Sequence, residues 1–548
     1  MGELENRNNL LKSCAITLLL LSVIGCPPPV IVVDSPNCRM IENDESQFNF
    51  FDPTDHEKML LPQRFLTKLD LKGDNKSMLV DVDNVSKLDQ AAKFTLPTLK
   101  GSFGKRAPSK AVEALSQKRI VGFVYQFLPY EELILQSRVS SQFYRILRRL
   151  PVRIVCSGQK ASNFCNYIHD NVRYLSRVRA FDTLFMFHIG NSSLKETLHI
   201  ESLKNLIVGF QENLFPNISD FHIVINPDTG ENGIFELIDA MLLHPLSSLT
   251  TLNFSGSYLG EQATKKLSEI FKQKKFTRIK ILDMSQNGTG EYGTRFMMGA
   301  LASGNACDAL EQLDFSRNNM GRGFRVVPKC LASQSLNPCL KHLNLSNNDI
   351  QNMAVHDACS DVNSSLPHNL RYLNLSLNPL GDKGASQLVD LFCSHPTYLV
   401  ELNLSGIDGI SLFAESLANA IKKNHLPALE ILDISHNAIG RAGAELLFFA
   451  LDTMNCKNLR IMNIAVNALM ESGMNLLCIS IRKGTFVNLH TLDITANNGN
   501  AAMIHLATIL KQDMCPALRV LHMGKNVAEL VPPPIFRNDF CPQIDLKY

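Results

Sequence analysis

An apolar anchor recurs through the C-terminal part of this chain at a nearly constant interval, and that period decides the fold class before any other feature does. In the pattern LxxLxLxxN, the second leucine-type anchor falls at Leu252, Leu282, Leu313, Leu343, Leu373, Leu402, Leu432, Met462, Leu492 and Leu521. The successive steps are 30, 31, 30, 30, 29, 30, 30, 30 and 29 residues. A weaker copy precedes them, with Phe221 lying 31 residues before Leu252 and Asn226 five beyond Phe221. About eleven repeats therefore run over 218–530. A unit of this size buries its apolar face only against its neighbours, so the array is expected to be a solenoid.

Each repeat has three readable parts. The first is a short strand, as in Leu340-Lys-His-Leu-Asn-Leu and Leu370-Arg-Tyr-Leu-Asn-Leu, whose alternating leucines turn inward while the residues between them face out. The second is an asparagine five beyond the anchor: Asn287, Asn318, Asn348, Asn378, Asn437, Asn467, Asn497 and Asn526. There the chain turns and leaves backbone groups unpaired, and an amide side chain supplies both a donor and an acceptor. Ser257 and Ile407 break this series, so their turns are expected to be less regular. The third part is a helix, as in Gly381-Asp-Lys-Gly-Ala-Ser-Gln-Leu-Val-Asp-Leu-Phe, with apolar residues at helical spacing. The asparagine turn, the glycine near its end and the Gly-Ala-x-x-Leu helix resemble leucine-rich repeats of the ribonuclease-inhibitor type. The resemblance implies an α/β solenoid, a horseshoe with a parallel sheet on the concave face and helices on the convex face.

The remainder of the chain divides by composition. A length of 548 residues exceeds one compact core, and a balance of 45% apolar and 19% charged residues is ordinary for globular protein. The net charge of +2, from 54 basic and 52 acidic residues, gives no sign of a nucleic-acid partner. Fourteen cysteines include no CxxC pair, and Cys307, Cys339, Cys456 and Cys515 lie just before a repeat leucine. That placement suits small buried thiols in a reducing, cytoplasmic setting. Residues 1–26 point the other way. The apolar run from Ser13 to Gly25 is short for a membrane span and resembles a signal-peptide core, and Val23-Ile24-Gly25-Cys26 resembles a lipobox. Secretion or membrane anchoring is therefore the alternative. Residues 27–110 read as a poorly ordered region, 151–217 as an N-terminal cap of the solenoid and 531–548 as a C-terminal cap.

Residues 111–150 show helical periodicity with a break at Pro129. Phe127-Leu128-Pro129, Leu133, Val139-Ser140, Phe143-Tyr144-Arg145 and Leu147 resemble an F-box, a helical module that docks on the small adaptor of cullin ubiquitin ligases. The resemblance implies adaptor contacts through Phe127, Leu128, Pro129, Leu133, Val139 and Phe143. Ser116, Gln117 and Arg119 stand where that family opens with Leu-Pro-x-Glu. A plain helical cap is the other reading of the segment.

Candidate partner-binding residues lie on the strands. The residue between the two inward strand positions is polar throughout, including Asp283, Asp314, Asn344, Asn374, Asn403 and Asp433. Such a ladder can grip a partner, or it can simply belong to the repeat. Gln312, His342, Tyr372 and Glu401 vary beside it, with Arg317, Asn347 and His436 on the following turns, and Tyr372 is the expected anchor. Asn253, Asn344, Asn374 and Asn403 open Asn-x-Ser only because the strand motif contains that string. No phosphate-binding loop, HExxH, GxSxG or metal-spaced Cys/His cluster occurs, so neither an enzyme nor a cofactor is expected. The basic run Lys272–Lys280 reads as a solvated helix end or as an anion site. The function expected is protein binding, as the substrate-recognition subunit of a cullin-type ligase that holds the adaptor and a target protein. A scaffold or inhibitor without ligase association is the alternative.

Overall fold

Among the described residues, fourteen short strands carry the architecture: β1 (Val152–Cys156), β2 (Leu184–Ile189), β3 (Asp220–Ile223), β4 (Thr251–Asn253), β5 (Ile281–Asp283), β6 (Gln312–Asp314), β7 (His342–Asn344), β8 (Tyr372–Asn374), β9 (Glu401–Asn403), β10 (Ile431–Asp433), β11 (Ile461–Asn463), β12 (Thr491–Asp493), β13 (Val520–His522) and β14 (Asp545–Lys547). The computed structural model describes residues 152–547 apart from 180, 182–183, 191–196, 245, 304–306, 334–335, 337–338, 361–368, 500 and 527–542. The apolar segment 1–26, the region 27–110, the F-box-like residues Phe127, Leu128, Pro129, Leu133, Val139 and Phe143, and most of the expected cap 531–548 lie outside the described residues.

The strands form one sheet in sequence order, and every neighbouring pair is parallel. The repeat anchors pair in register from Phe221 and Leu252 through Leu492 and Leu521. All are buried, and the residues flanking them on each strand stay half-buried or exposed. Parallel neighbours require a crossover, which each repeat supplies as a helix, for example Gly260–Lys272 between β4 and β5 and Gly440–Leu451 between β10 and β11. Strands stack about 4.8 Å apart whereas packed helices need roughly 8–10 Å, so the strand layer is the more closely spaced of the two. Between β6 and β7 the crossover is a 3₁₀ turn, Gly321–Val326, followed by the short helix Val327–Leu331. The expected leucine-rich-repeat solenoid is thus the fold observed.

The asparagine series is internal framework. Asn318 Nδ2 donates to the carbonyls of Met284, Phe315 and Ser316 at 2.8, 3.0 and 3.0 Å. Its Oδ1 accepts from the amides of Asn287 at 3.0 Å and Thr289 at 3.3 Å in the preceding repeat. The same donations recur at Asn287, Asn348, Asn378, Asn437, Asn467 and Asn497. Ser257 does this work in miniature: its hydroxyl donates to Ile223 O at 2.9 Å and accepts from Ile225 N at 3.2 Å. Ile407 offers no acceptor, and there the Leu380 amide donates to Asn378 O instead, at 2.7 Å.

The segment 152–217 covers the first repeat with two further strand–helix units rather than a separate layer. Helices Gly158–Val178 and Ile200–Gln211 follow β1 and β2. Aromatic rings replace leucines in this part of the core. Phe164, Phe187, Phe210, Phe215 and Phe221 make ring contacts with centroids 5.0–5.8 Å apart, and Phe221 meets Phe254 of the next repeat at 6.4 Å. Of the four cysteines expected inside, Cys307, Cys456 and Cys515 are buried and Cys339 is half-buried, and all four are free thiols.

Candidate protein-binding face

Two rows of side chains face out from the sheet. The ladder row runs through Asn253, Asp283, Asp314, Asn344, Asn374, Asn403, Asp433, Asn463, Asp493 and His522, in register across neighbouring strands. Its members serve their own turns. The Oδ1 of Asp283, Asp314, Asn344, Asn374, Asn403 and Asp433 each accepts from the backbone N–H two residues on, at 2.9–3.1 Å. The hydroxyl of that same serine adds a second donor at 2.7–2.8 Å. These are Asx-turns, which bend the chain out of the strand toward the helix. Amides also tie the row together: Asn253 donates to Asp283 Oδ2 at 3.0 Å, Asn344 to Asp314 Oδ2 at 2.8 Å and Asn463 to Asp433 Oδ2 at 3.1 Å. Between Asp283 and Asp314 two carboxylates face one another. Burial, and then the Asp314 charge, push the Asp283 carboxyl above its ordinary range.

The strand-entry row lies beside the ladder, and here the structure brings sequence candidates together. Gln312, His342, Tyr372 and Glu401 occupy matching positions on β6, β7, β8 and β9. The His342 and Tyr372 rings stack at 5.3 Å with 29° between their planes. The Tyr372 hydroxyl donates to the Glu401 carboxylate. Burial and then the anionic acceptor raise the tyrosine well above the usual range. Burial, then Lys341, lowers His342, so its imidazole is neutral near neutral pH and stacks as an aromatic surface. Burial raises Glu401, the tyrosine hydrogen bond lowers it, and the Asp433 charge raises it further. Gln312 is exposed. An ion-pair ladder borders this row, with Glu311 bonded to Lys280 at 3.2 Å and to Lys341 at 2.6 Å.

Two parts of the face were not singled out in the sequence. Past Glu401 the strand-entry row becomes largely apolar, through Ile431, Ile461 and Val520, with Thr491 between the last two. The signal was available, one residue before each anchor. The second part continues the ladder at its other end, where His188 and His222 pair in register on β2 and β3. His188 Nε2 lies 2.9 Å from Asp220 Oδ1, and the two imidazoles meet edge to face at 5.3 Å. Burial, then His188, pushes His222 down to about 4, against the opposing pull of Asp220. Phe187 is the anchor-like residue of this unit, 34 residues before Phe221, and that wider step hides it from a search at a period of 30. Among the described residues no group of three His, Cys, Asp or Glu side chains is placed to hold a metal ion.

Repeats with this strand, asparagine turn and helix define a leucine-rich-repeat protein. The profile of the family "Leucine Rich repeat" matches residues 336–352, 367–389 and 425–448. The chain is similar to the Homo sapiens protein "NACHT, LRR and PYD domains-containing protein 12", with 26% identity over 274 residues, 44% of this chain and 24% of that protein. It is 30% identical over 155 residues to the Danio rerio "Tonsoku-like protein", covering 27% of this chain and 10% of that one. It is 35% identical over 98 residues to the Mus musculus "Ribonuclease inhibitor", covering 18% of this chain and 21% of that one. The chain thus spans under a quarter of the length of each of these relatives.

Proposed function

We propose that this chain is a protein-binding scaffold that holds its partner against the sheet face, anchored at Tyr372. The observation that carries the reading is the constellation His342, Tyr372 and Glu401, in which a stacked aromatic pair and a buried-side carboxylate stand together on adjacent strands. Aromatic side chains held rigid by neighbours are the commonest anchors of protein interfaces, because they bury much area and lose little freedom. The apolar positions Ile431 and Ile461 alongside supply area that water leaves readily. The mouse relative is by name an inhibitor of a ribonuclease, itself a protein, which agrees with this reading. The test is affinity capture with tagged full-length chain beside Tyr372→Ala and Ile461→Asp variants. Proteins retained by the wild type and lost from both variants, with circular dichroism unchanged, support the face; retention by both variants overturns it.

The finer role is that of substrate-recognition subunit of a cullin-type ubiquitin ligase. It rests on the F-box resemblance of Phe127-Leu128-Pro129, Leu133, Val139 and Phe143, placed ahead of the repeats. Co-purification with the cullin adaptor, beside a Leu128→Asp, Leu133→Asp double variant, tests it. Adaptor retained by the wild type and lost from the folded variant supports the ligase role. Adaptor retained by neither leaves a scaffold or inhibitor without ligase association.

A further inference from the structure

A strong charge asymmetry lies on the end of the helix Gly260–Lys272 and the turn after it, reaching the sheet face only at Lys280. From Lys265 to Lys280 the chain carries seven cations, Lys265, Lys266, Lys272, Lys274, Lys275, Arg278 and Lys280, against the single acid Glu269, in a protein whose net charge is only +2. Two of them are neutralised: Lys266 pairs with Asp239 at 2.6 Å and Lys280 with Glu311 at 3.2 Å. Lys272, Lys274, Lys275 and Arg278 are exposed, and among the described residues none has a carboxylate within 4.0 Å. Lys265 and Lys272 converge on one half-buried ring, with ammonium groups 5.1 and 5.9 Å from the Phe296 centroid.

A helix end explains only part of this. One or two cations near a helix C-terminus are favourable, because they meet the negative end of the helix dipole. The corresponding turns elsewhere in the array carry no more than two, as at Lys422 and Lys423 or Arg482 and Lys483. The turn from Lys272 to Lys280 carries five. Like charges so close repel one another and oppose folding unless something neutralises them.

We infer that the turn Lys272–Lys280, with Lys265 and Phe296, is a docking point for a short acidic segment of another protein. The patch is an island. The preceding turn, 243–250, holds no lysine or arginine, and the following one presents Asp308 and Glu311. A nucleic-acid strand carries its charge along its whole length and would run from this turn onto those carboxylates. A run of a few aspartates or glutamates is short enough to end within the patch. The ammonium groups are free to reorient, so recognition is by charge and not by one fixed fork. Only Lys280, at the entry to β5, reaches the border of the sheet face, through Glu311, and Tyr372 is no part of the site.

The test is fluorescence anisotropy with full-length chain and three probes: a labelled hexaglutamate peptide, a labelled oligothymidylate, and vesicles rich in phosphatidylserine. The peptide is expected to bind at low ionic strength and to weaken steeply as salt rises, since exposed pairs are screened within about 10 Å. A Lys272→Glu, Lys274→Glu, Lys275→Glu, Arg278→Glu variant should weaken it on the order of a hundredfold, four exposed pairs each supplying a factor of roughly two to five. A Lys422→Glu, Lys423→Glu control and Tyr372→Ala should leave it unchanged. Peptide binding that survives the four reversals overturns the inference. So does binding of the oligothymidylate or the vesicles in preference to the peptide.

Discussion

Tyr372 and Glu401 stand at matching positions on adjacent parallel strands, and the tyrosine hydroxyl donates to the glutamate carboxylate. The glutamate is nevertheless raised above its ordinary range, because burial and Asp433 outweigh the hydrogen bond. A carboxyl whose folded pKa lies above its unfolded value binds more protons in the folded state. Stability is then greatest at low pH and declines as pH rises from the unfolded pKa through the folded one. Glu401→Gln keeps an acceptor for the hydroxyl and removes the charge. The variant should match the wild type in urea unfolding at about pH 4 and exceed it, by under about 1 kcal/mol, near neutral pH. A loss of stability that is larger near neutral pH than at about pH 4 would show that the carboxylate form is the favoured one and that this account of the pair is wrong.

The two asparagine series should respond differently to the same change. Asn318→Ala removes one side chain that serves three buried carbonyls and two amides, and water cannot reach the orphaned groups. The expected loss is roughly 2–4 kcal/mol. Asn374→Ala removes two donors' acceptor at a half-buried turn that solvent can reach, and about 1 kcal/mol is expected. Chemical denaturation of the two variants side by side decides it. Similar losses would mean that the interior asparagine is not the framework its contacts describe.

That contrast also marks how far the sequence could be read. The period of 30 located the anchors from Phe221 to Leu521, because a buried strand centre admits little but leucine and its near equivalents. The asparagine turns were legible for the same reason, since one side-chain type meets that combination of donors and acceptors. The polar ladder was legible as a pattern while its bonding was not: whether Asp314 faces a partner or its own Ser316 depends on a local rotamer that no spacing encodes. The units at β1 and β2 escaped because phenylalanines fill their core and their steps are longer. The stacking of His342 on Tyr372 follows from register, which the repeat does predict, but the bond to Glu401 depends on side-chain reach.

Thiol reactivity should sort by depth. Burial pushes Cys307, Cys456 and Cys515 up to about 12, so little thiolate forms at neutral pH and reagents cannot reach it. Cys339 is half-buried. Alkylation of the native chain with iodoacetamide, read by peptide mass spectrometry, should modify Cys339 well before those three, and denaturant should abolish the difference. Modification of Cys456 in the folded chain at the rate of Cys339 would contradict the packing described.

The helix entry offers a stabilising change. Three residues beyond Ser257, Asn287, Asn318, Asn378 and Asn437 the backbone is left-handed, and Gly260, Gly290, Gly321, Gly381 and Gly440 take that position with φ of +48° to +68°, whereas Gln351, three beyond Asn348, does not adopt it. Met470 occupies it with φ of +57° and a half-exposed side chain. A side chain with a Cβ pays about 1–2 kcal/mol in that region, and glycine does not. Met470→Gly should therefore raise the urea midpoint by an amount equivalent to about 1 kcal/mol, less whatever its side chain gains by packing. The reciprocal variant isolates the backbone effect, because nothing lies within 4 Å of a Cβ built on Gly440. Gly440→Ala should lower the midpoint by a similar amount through conformation alone. If Met470→Gly destabilises while Gly440→Ala is neutral, the left-handed entry is not under strain and the glycine series reflects something other than backbone geometry.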